Sequence, residues 1–473
     1  MRALRHVFER RDLTALAGGS LFTLAVVLAT VKAGSSLGAG AFFAIALFCV
    51  LVVAWVYMPH MVIALTIPLF ALLPAAKVLA TPWIGPLKDF FVLAAAGALV
   101  AEAVRRRGNS GFALVDRRLM VLVTGLIGLY VINLGGDFAT ENYGIAWLQG
   151  IRLISEPLIL LTAGLVLGQS RRALNYAAVS IIVTGVFVAL YGLLQQKLGG
   201  ARLVELGYSY NQHVRMINGR LRSFGTLDDP FAYAAFLMLS LSTVFFWMRR
   251  GALAFACGGV IMLGLLVSYV RSAGVILVAL IAIWLVRKQR TALGLILLGV
   301  SAVAALTLLF AQASASETRS VSAGPGIYVT LNGRTTAWKA LFSDAKRVPL
   351  GLGVGKVGTA ADRATYGLIK RGAAAKRSRS YAVDSGYFAA VADVGFVGFA
   401  VLLALLALLV SLAHAGTRRP GHGGWLALGY LTTIMIDAVT RESFTGFPTA
   451  FLGLLLVGLA LAPTNPSKAV AGR

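Results

Sequence analysis

Three arginines stand beside long apolar segments, at positions where they could do chemistry. Arg222 immediately precedes one such segment, Arg271 lies in a very short connection between two of them, and Arg441 lies in another short connection. The guanidinium group of arginine is planar, keeps its charge and binds phosphate oxygens through paired hydrogen bonds. These residues therefore favour an anionic ligand that carries phosphate. The connection around Arg271 is so short that we expect its side chain to stay within a helical bundle.

Other charged residues flank the apolar segments as well. They are Lys77, Lys88, Asp89, Arg152, Glu156 and Asp384. Charges at membrane depth are costly and mark functional sites by default, but structural interpretations stay open. Arg152 and Glu156 have the i,i+4 spacing at which opposite charges neutralise each other. Lys77 and Lys88 have the long stems that let a lysine reach the membrane surface.

The overall composition is that of a membrane protein. Of the 473 residues, 58% are apolar and 13% are charged, whereas about 25% of the residues of a soluble domain are charged. Only helices and closed barrels satisfy all backbone groups in lipid, and the apolar segments are longer than the roughly 10-residue strands of a barrel. Cys49 and Cys257 lie inside apolar segments, so a disulfide framework is excluded. The sequence therefore predicts an all-α, polytopic integral membrane bundle that forms a single domain over residues 1–473.

Fourteen segments approach the length of about 20 residues that a helix needs to cross a hydrocarbon core roughly 30 Å thick. The predicted spans are 14–32, 39–57, 61–80, 88–104, 119–134, 147–168, 174–195, 229–248, 252–269, 273–286, 292–311, 386–413, 424–439 and 446–463. Several are short, so the bundle is expected to contain about 12–14 transmembrane helices.

The net charge of +25 is divided unequally between the two sides of these spans. Most lysines and arginines of the short connections lie in the N-terminal segment, 105–118, Arg171 with Arg172, Arg249 with Arg250, 287–290, Arg418 with Arg419, and the C-terminal tail. The positive-inside rule puts these connections and both termini in the cytoplasm, so no nucleic-acid partner is expected. The charged residues singled out above then face outward, as do two long connections, 196–228 and 312–385. We expect the second to be a large, partly helical periplasmic cap.

The glycine-rich run from Gly351 to Gly355 does not predict a nucleotide site. It lacks the glycine spacing and the preceding strand of a phosphate-binding loop, and we interpret it as a flexible turn. Asp228 and Asp229 before Pro230 predict the start of a helix rather than a metal site. No cofactor and no metal are expected, and a lipid-linked phosphate or pyrophosphate is the expected ligand.

Four segments between residues 215 and 400 resemble the O-antigen ligase and polysaccharide polymerase superfamily. They are Arg222-Ser-Phe-Gly225-Thr-Leu-Asp-Asp-Pro230; Ser268-Tyr-Val-Arg271-Ser-Ala; Gly333-Arg334 with Trp338 and Pro349-Leu-Gly351-Leu-Gly353-Val-Gly355; and Asp384-Ser-Gly-Tyr387 with Asp393-Val-Gly395-Phe-Val-Gly398. Their order and spacing are similar to those of the family, whose members are multi-span proteins with a large outer loop late in the chain.

The resemblance implies a metal-independent glycosyltransferase whose donor is a glycan on undecaprenyl pyrophosphate. By position, Arg222 and Arg271 are similar to the family's pyrophosphate-binding arginines, and fixed cations there would stabilise the charge of the departing pyrophosphate. Further candidates for substrate binding are Arg334, Tyr387, Arg152, Lys88, Trp338 and Arg441. Alternatively, Arg334 and Trp338 belong to a helix that packs the cap onto the bundle, and Tyr387 belongs to an aromatic belt at the membrane surface.

The histidines set this chain apart from the ligases of that family. Those ligases carry a histidine in the large outer loop, taken to activate the acceptor hydroxyl, whereas Asp384 occupies the motif position here. A carboxylate there could act as the base, pair with a loop arginine or bind the acceptor. On the predicted topology His213 faces outward, and we expect it to be a solvated loop residue. The departure favours a polymerase, most similar to exopolysaccharide polymerases, over a ligase that acts on lipid A core.

Such a polymerase would work at the periplasmic face of a bacterial inner membrane, in contact with membrane lipid and with chain-length regulator and flippase proteins as expected partners. The rival interpretation is a flippase or exporter of the same lipid-linked glycan. Transporters commonly show internal repeats and polar residues near the membrane midplane, whereas the charges here cluster at one end of the spans. This pattern favours an enzyme.

Overall fold

A computed structural model of the chain describes residues 37–81, 84–105, 116–133, 143–210, 213–217, 219–248, 251–310, 349–355, 357–358, 385–419 and 423–463. Its helices are α1 (Leu37–Tyr57), α2 (Pro59–Leu79), α3 (Leu87–Arg105), α4 (Arg117–Ile132), α5 (Tyr143–Leu167), α6 (Arg171–Glu205), α7 (Pro230–Trp247), α8 (Ala252–Leu266), α9 (Arg271–Arg287), α10 (Thr291–Phe310), α11 (Gly386–Thr417), α12 (Gly423–Thr440) and α13 (Thr449–Leu461). Two short strands, β1 (Arg215–Ile217) and β2 (Arg220–Arg222), lie between α6 and α7.

The helices coincide with the predicted spans. Each predicted segment from 39–57 to 446–463 contains a helix whose bounds differ by a few residues, except that α6 continues to Glu205. The predicted first span, 14–32, lies outside the described residues. Within the described part of the chain, five helices are long and apolar enough to cross a membrane, namely α2, α5, α6, α7 and α11. The predicted fold class, a helical membrane bundle, is thereby confirmed.

Polar residues begin several helices where the chain enters an apolar segment. Asp116 and Ser170 cap α4 and α6 through their side chains. Asp229 caps α7 by accepting hydrogen bonds from the amides two and three residues ahead, both at 2.8 Å, and Pro230 takes the first helical position. Such caps satisfy amides that have no partner inside the helix. The predicted helix start at Asp229 and Pro230 is confirmed.

The core of the bundle is centred on α13, whose residues are almost all buried. α13 packs along α5, where a β-carbon added at Gly164 would lie 2.5 Å from the carbonyl oxygen of Leu455. Small residues permit this close approach of helix backbones in membrane proteins. Phe70 of α2 packs edge-on against Phe451 of α13 and is fully buried. The helix ends that carry the candidate residues therefore rest on a closely packed centre.

The connection predicted at 196–228 contains more regular structure than expected. α6 runs through its first part, with a break at Gly199, and β1 and β2 form an antiparallel hairpin further on. The register places Arg215 directly opposite Arg222. The prediction omitted this hairpin, although the sequence pair Asn-Gly at 218–219 is a strong signal for a two-residue hairpin turn.

The segment that follows β2 interrupts helix α2. Pro74 lies inside α2 and cannot continue the backbone hydrogen-bond pattern. The hydroxyl of Thr226 donates to the carbonyl oxygen of Ala71 at 2.8 Å, and the carbonyl oxygen of Thr226 accepts from the amide of Ala75 at 3.0 Å. Ala71 and Ala75 are four residues apart and would bond to each other in a regular helix. Thr226 therefore takes the place of the hydrogen bond between Ala75 and Ala71. Its two bonds attach the irregular segment after β2 to α2.

The glycine-rich run 349–355 is a packed turn, so the expectation of a flexible turn is wrong. The amide of Gly355 donates to the carboxylate of Asp393 at 3.3 Å. Helix α11 is broken at Gly395, whose left-handed backbone (φ 65°) lets the turn approach. A β-carbon added at Gly395 would collide with the carbonyl oxygen of Pro349. Asp393 and Gly395 therefore hold the glycine turn against α11, and the turn becomes part of the bundle.

The variant Thr226→Val is expected to lower the free energy of unfolding by about 1–3 kcal/mol, because the buried carbonyl oxygen of Ala71 loses its donor. Thr162→Val is the matched control, since Thr162 is also buried but its hydroxyl bonds to a carbonyl of its own helix, that of Leu158. Its effect is expected to be small. Denaturant unfolding in detergent micelles measures both variants, and equal losses would contradict the role assigned to Thr226.

Candidate functional site

The helix ends that were predicted to face outward meet at one end of the bundle. Direct hydrogen bonds join the segment after β2 to α2, to α6 and to the turn between α8 and α9. The start of α7 meets the residue after α12, which also bonds to the start of α11. The start of α3 contacts α5 and α13. The described candidate residues therefore share one end of the structure.

Arg222 ties the β-hairpin to the turn between α8 and α9. Its Nε donates to the carbonyl oxygen of Ser268 at 3.3 Å, and its Nη2 donates to that of Tyr269 at 3.4 Å. Tyr269 has a left-handed backbone (φ 52°), which is uncommon for a residue with a side chain. Val270 and Arg271 follow it. Two of the family-like segments therefore meet, because Arg222 contacts the backbone two residues before Arg271.

Side-chain amides of α6 hold the backbone around Arg222. Oε1 of Gln195 accepts from the amides of Phe224 and Gly225, at 3.1 and 2.9 Å, and Nε2 donates to the carbonyl oxygen of Gly225 at 2.8 Å. The neighbouring Gln196 bonds to the same segment. An irregular backbone among apolar helices needs such partners for its polar groups. These bonds determine where Arg222 can lie.

Arg271 is exposed, so the expectation that a short turn would keep it inside the bundle is wrong. α9 begins at Arg271, and the next two residues, Ser272 and Ala273, are buried. At about 3.6 residues per turn, a helix that buries Ser272 and Ala273 presents the preceding side chain on another face. The guanidinium group of Arg271 is therefore accessible at this end of the bundle.

Arg441 lies between two aspartates. Its Nη2 is 3.9 Å from Oδ2 of Asp229, and its Nε is 3.7 Å from Oδ2 of Asp437. Asp229 precedes the membrane helix α7. Burial alone would raise the pKa of its carboxyl, but Arg441, the amides that it caps and the nearby Arg215 outweigh burial, and the pKa is lowered. Asp229 is therefore a stable anion, and Arg441 has carboxylate neighbours on two sides.

Lys88, Asp89, Arg152 and Glu156 form one ion-pair network between α3 and α5. Nζ of Lys88 lies 2.6 Å from Asp89 and 3.0 Å from Glu156. Arg152 contacts both acids, with Nε 2.8 Å from Glu156. The predicted pairing of Arg152 with Glu156 is confirmed, whereas Lys88 is buried and does not extend to the surface. With two cations and two carboxylates, the network is internally balanced and joins the two helices.

Tyr387 lies in the first turn of α11, and its side chain contacts α12. Its hydroxyl donates to the carbonyl oxygen of Met435 at 3.0 Å. Its ring packs edge-on against Phe444, at 5.2 Å between ring centres, and against Phe399. The hydroxyl proton of Tyr387 is therefore used in joining the two helices.

His213 is buried, so the expectation of a solvated loop histidine is wrong. Its ring packs against Tyr208 and Phe224, within a small apolar cluster beneath the hairpin. Nδ1 accepts a hydrogen bond from the amide of Ser209 at 3.2 Å. In the neutral ring the proton therefore sits on Nε2, which is 3.8 Å from Oδ1 of Asp228. The apolar residues that bury His213 are scattered along the connection 196–228. They form no continuous apolar run, so a search for membrane spans does not detect them.

Three candidate residues, Asp384, Arg334 and Trp338, lie outside the described residues, as does most of the predicted cap at 312–385. The residue after Asp384 is described. The hydroxyl of Ser385 donates to the carbonyl oxygen of Ala438 at 3.1 Å, and the next amide donates to the carbonyl oxygen of Arg441 at 2.8 Å. The start of α11 is therefore anchored beside Arg441.

Arg215 belongs to this end of the bundle, and the sequence interpretation missed it. It lies opposite Arg222 in the hairpin, and its guanidinium carbon is 6.0 Å from the ring centre of Phe231, over which Arg222 lies at 4.8 Å. The signal that could have found it is the Asn-Gly pair at 218–219 in the sequence, since a two-residue hairpin loop predicted there pairs the residues three positions before and after it.

The described residues do not assemble a metal site from their acidic, histidine and cysteine side chains. No group of three or more of these side chains converges among them. Of the described carboxylates at this end, Glu156 is instead engaged by Lys88, and Asp229 is engaged by Arg441 and by the amides that it caps. Among the described candidates at this end, Arg271 is an exposed cation.

Lys88→Met is expected to lower the free energy of unfolding by about 3–5 kcal/mol, because two carboxylates in a buried network then share one cation. The double variant with Glu156→Gln should regain part of this loss, since a carboxylate is removed together with its partner. Arg202→Gln is the control, because Arg202 and Glu205 form an exposed pair and exposed pairs contribute little. Unfolding curves in detergent provide the measurement. A loss in Arg202→Gln as large as that in Lys88→Met would refute the assignment.

Comparison with known proteins does not assign the chain to a family. No protein-family model matches it, and no curated protein sequence matches it. The four family-like segments therefore stay an interpretation of short motifs, and a function has to be argued from the residues of the site.

Proposed function

We propose that the chain is a polysaccharide polymerase that joins repeat units carried on undecaprenyl pyrophosphate, for an exopolysaccharide, a capsule or O-antigen. An acceptor hydroxyl on one lipid-linked glycan displaces the pyrophosphate from another, without a metal or other cofactor. The active site faces the periplasm at a bacterial inner membrane, with both termini in the cytoplasm and about 12–14 spans. Chain-length regulator and flippase proteins are its expected partners.

The contact between Arg222 and the α8–α9 turn carries this proposal. Arg222 donates to the carbonyl oxygens of Ser268 and Tyr269, so arginines from two separate segments, Arg222 and Arg271, belong to one place at the end of the bundle. Fixed cations that face a breaking bond stabilise the negative charge that develops on the leaving group. Guanidinium groups at this position could replace the divalent metal that supports a departing diphosphate in other transferases.

The proposed reaction forms one bond and breaks another. The acceptor hydroxyl oxygen bonds to the anomeric carbon of the donor glycan, and the bond from that carbon to the pyrophosphate oxygen breaks. The pyrophosphate leaves as an anion beside Arg222 and Arg271. The proton of the hydroxyl passes to a base, for which we propose Asp384, because a carboxylate stands there at the position of the histidine in the ligases that the chain resembles.

The same donor site could serve a ligase that transfers the glycan to lipid A core, or a flippase that moves the lipid-linked glycan. Against a ligase, the sequence carries no histidine between 312 and 385, and His213 is buried and engaged by Ser209. Against a flippase, the described charged candidates gather at one end of the bundle. A polymerase works at one side of the membrane, as a ligase does, and the lack of a histidine between 312 and 385 separates this chain from the ligases that it resembles.

Purified chain in liposomes, supplied only with undecaprenyl-pyrophosphate-linked repeat units from the bacterium that encodes it, is expected to yield a ladder of longer lipid-linked glycans. Arg222→Ala and Arg271→Ala are each expected to lower the rate by about 100-fold or more, as loss of a donor to a developing anion does. Matched controls that should keep the rate are Arg220→Ala in the same hairpin and Arg290→Ala beyond the other end of α9. Gel separation of the glycans gives the readout.

The competing functions give different results in this experiment. Product that forms only after a separate acceptor lipid is added would identify a ligase. A change in the sidedness of the glycan without any longer product would identify a flippase. Near-normal turnover in Arg271→Ala would remove the pyrophosphate assignment of that residue.

Asp384→Asn is expected to slow polymerisation by about 10²–10⁴-fold, because an amide cannot accept the proton of the acceptor hydroxyl. In the unmodified chain the rate should fall as the pH is lowered, since the carboxylate must be ionised to act as the base. Asp384→Glu, which keeps the carboxylate, should retain part of the rate and this pH dependence. Initial rates measured over a pH series provide the test. A pH–rate profile of Asp384→Asn that equals the profile of the unmodified chain would rule out Asp384 as the base.

A further inference from the structure

Tyr233 lies in the first turn of α7 and is fully buried. Three glycines from three different elements surround its ring, namely Gly192 of α6, Gly225 of the segment after β2 and Gly264 of α8. A β-carbon added at any of the three would lie 2.1–2.8 Å from an atom of Tyr233, which is closer than van der Waals contact permits. The ring is therefore wedged between three backbones.

The same ring touches both segments that meet where Arg222 binds the turn before Arg271. Its Cδ2 and Cε2 atoms would lie 2.6 Å from a β-carbon added at Gly225, three residues after Arg222. Its hydroxyl oxygen would lie 2.8 Å from one added at Gly264. Gly264 precedes Ser268 by four residues, and the carbonyl oxygen of Ser268 accepts from Arg222. One side chain thus spaces the two partners of this contact.

Gly225 is the glycine of the first family-like segment, and two kinds of contact fix its position. Its backbone is left-handed (φ 57°), which favours glycine, and the ring of Tyr233 occupies the place that a side chain would take. Gln195 holds the same residue by hydrogen bonds to its amide and its carbonyl oxygen. Packing and hydrogen bonding therefore act together on the backbone that follows Arg222.

The hydroxyl of Tyr233 is buried and has no hydrogen-bond partner within the described structure. A buried hydroxyl without a partner costs stability, and a phenylalanine at this position would avoid that cost. What the oxygen does contribute is size, because it fills the space between Gly192 and Gly264. The side chain therefore acts here through its length.

We propose that Tyr233 is a positioning residue of the donor site, which sets the separation between Arg222 and Arg271 by filling the space among the three glycines. This role rests on the proposed function, because the transfer reaction is what gives the two arginines a common task. A displacement of about 1 Å, caused by a change far from the reacting atoms, can lower a rate about 100-fold. Tyr233 is fully buried and acts on the substrate only through the arginines.

Tyr233→Phe removes the oxygen and keeps the ring. In liposomes supplied with undecaprenyl-pyrophosphate-linked repeat units, kcat is expected to fall about tenfold or more. KM should change less than about twofold, because the charge of the departing pyrophosphate develops only in the transition state. The melting temperature should not fall, since the hydroxyl that is removed has no partner.

Tyr430→Phe is the matched control. Tyr430 is also buried, but its hydroxyl is hydrogen-bonded to that of Thr243 at 2.8 Å, between α12 and α7. This variant should lower the melting temperature and leave kcat unchanged. A fall of kcat in Tyr233→Phe that is accompanied by a lower melting temperature, or that Tyr430→Phe shows equally, would indicate a general structural role and would overturn the proposal.

Incorporation of 4-methylphenylalanine at position 233 separates size from polarity. Its methyl group fills the place of the hydroxyl, so kcat should return to near the value of the unmodified chain. A kcat that stays low would mean that the hydroxyl itself is needed, and it would overturn the spacing role. An unchanged kcat in Tyr233→Phe, with polymer still formed, would refute this role alone, whereas no polymer from the unmodified chain would refute the polymerase and this role with it.

Discussion

An irregular backbone segment enclosed by apolar helices must find hydrogen-bond partners for its own polar groups, and this requirement shapes the site. Residues 223–226 receive them from Gln195 on α6 and from the interrupted turn of α2 at Pro74. Lipid and apolar side chains supply no such partners. The same bonds leave Arg222 little freedom, so a guanidinium group is positioned by a buried network and not by a solvated loop.

The ion-pair network at this end of the bundle is balanced in charge. In the network of Lys88, Asp89, Arg152 and Glu156, each cation contacts two carboxylates, and the result is a tie between helices. Arg215 differs from these residues, because its Nε is buried and has no hydrogen-bond partner among the described residues. Natural proteins tend to keep such local conflicts where a function repays their cost.

The helices were predictable because a long apolar run has few alternatives to a helix in lipid, and the start of α7 was predictable because Asp229 and Pro230 suit the first positions of a helix. The pairing of Arg152 with Glu156 followed from spacing within one helix. The partner of Lys88 did not, because Glu156 lies on another helix, 68 residues further along the chain. The Asn-Gly pair at 218–219 could have predicted the hairpin. A search for long apolar spans does not detect it, because each strand has three residues.

Residue order alone was sufficient for the class of protein, for the positions of its helices and for the suggestion that arginines at their ends meet phosphate. Helix packing settled which charges are neutralised, that Arg271 is exposed and His213 buried, and that Arg215 stands beside Arg222. The reason is physical: apolar length and i,i+4 spacing act within one element, whereas ion pairing and burial depend on which distant elements come into contact.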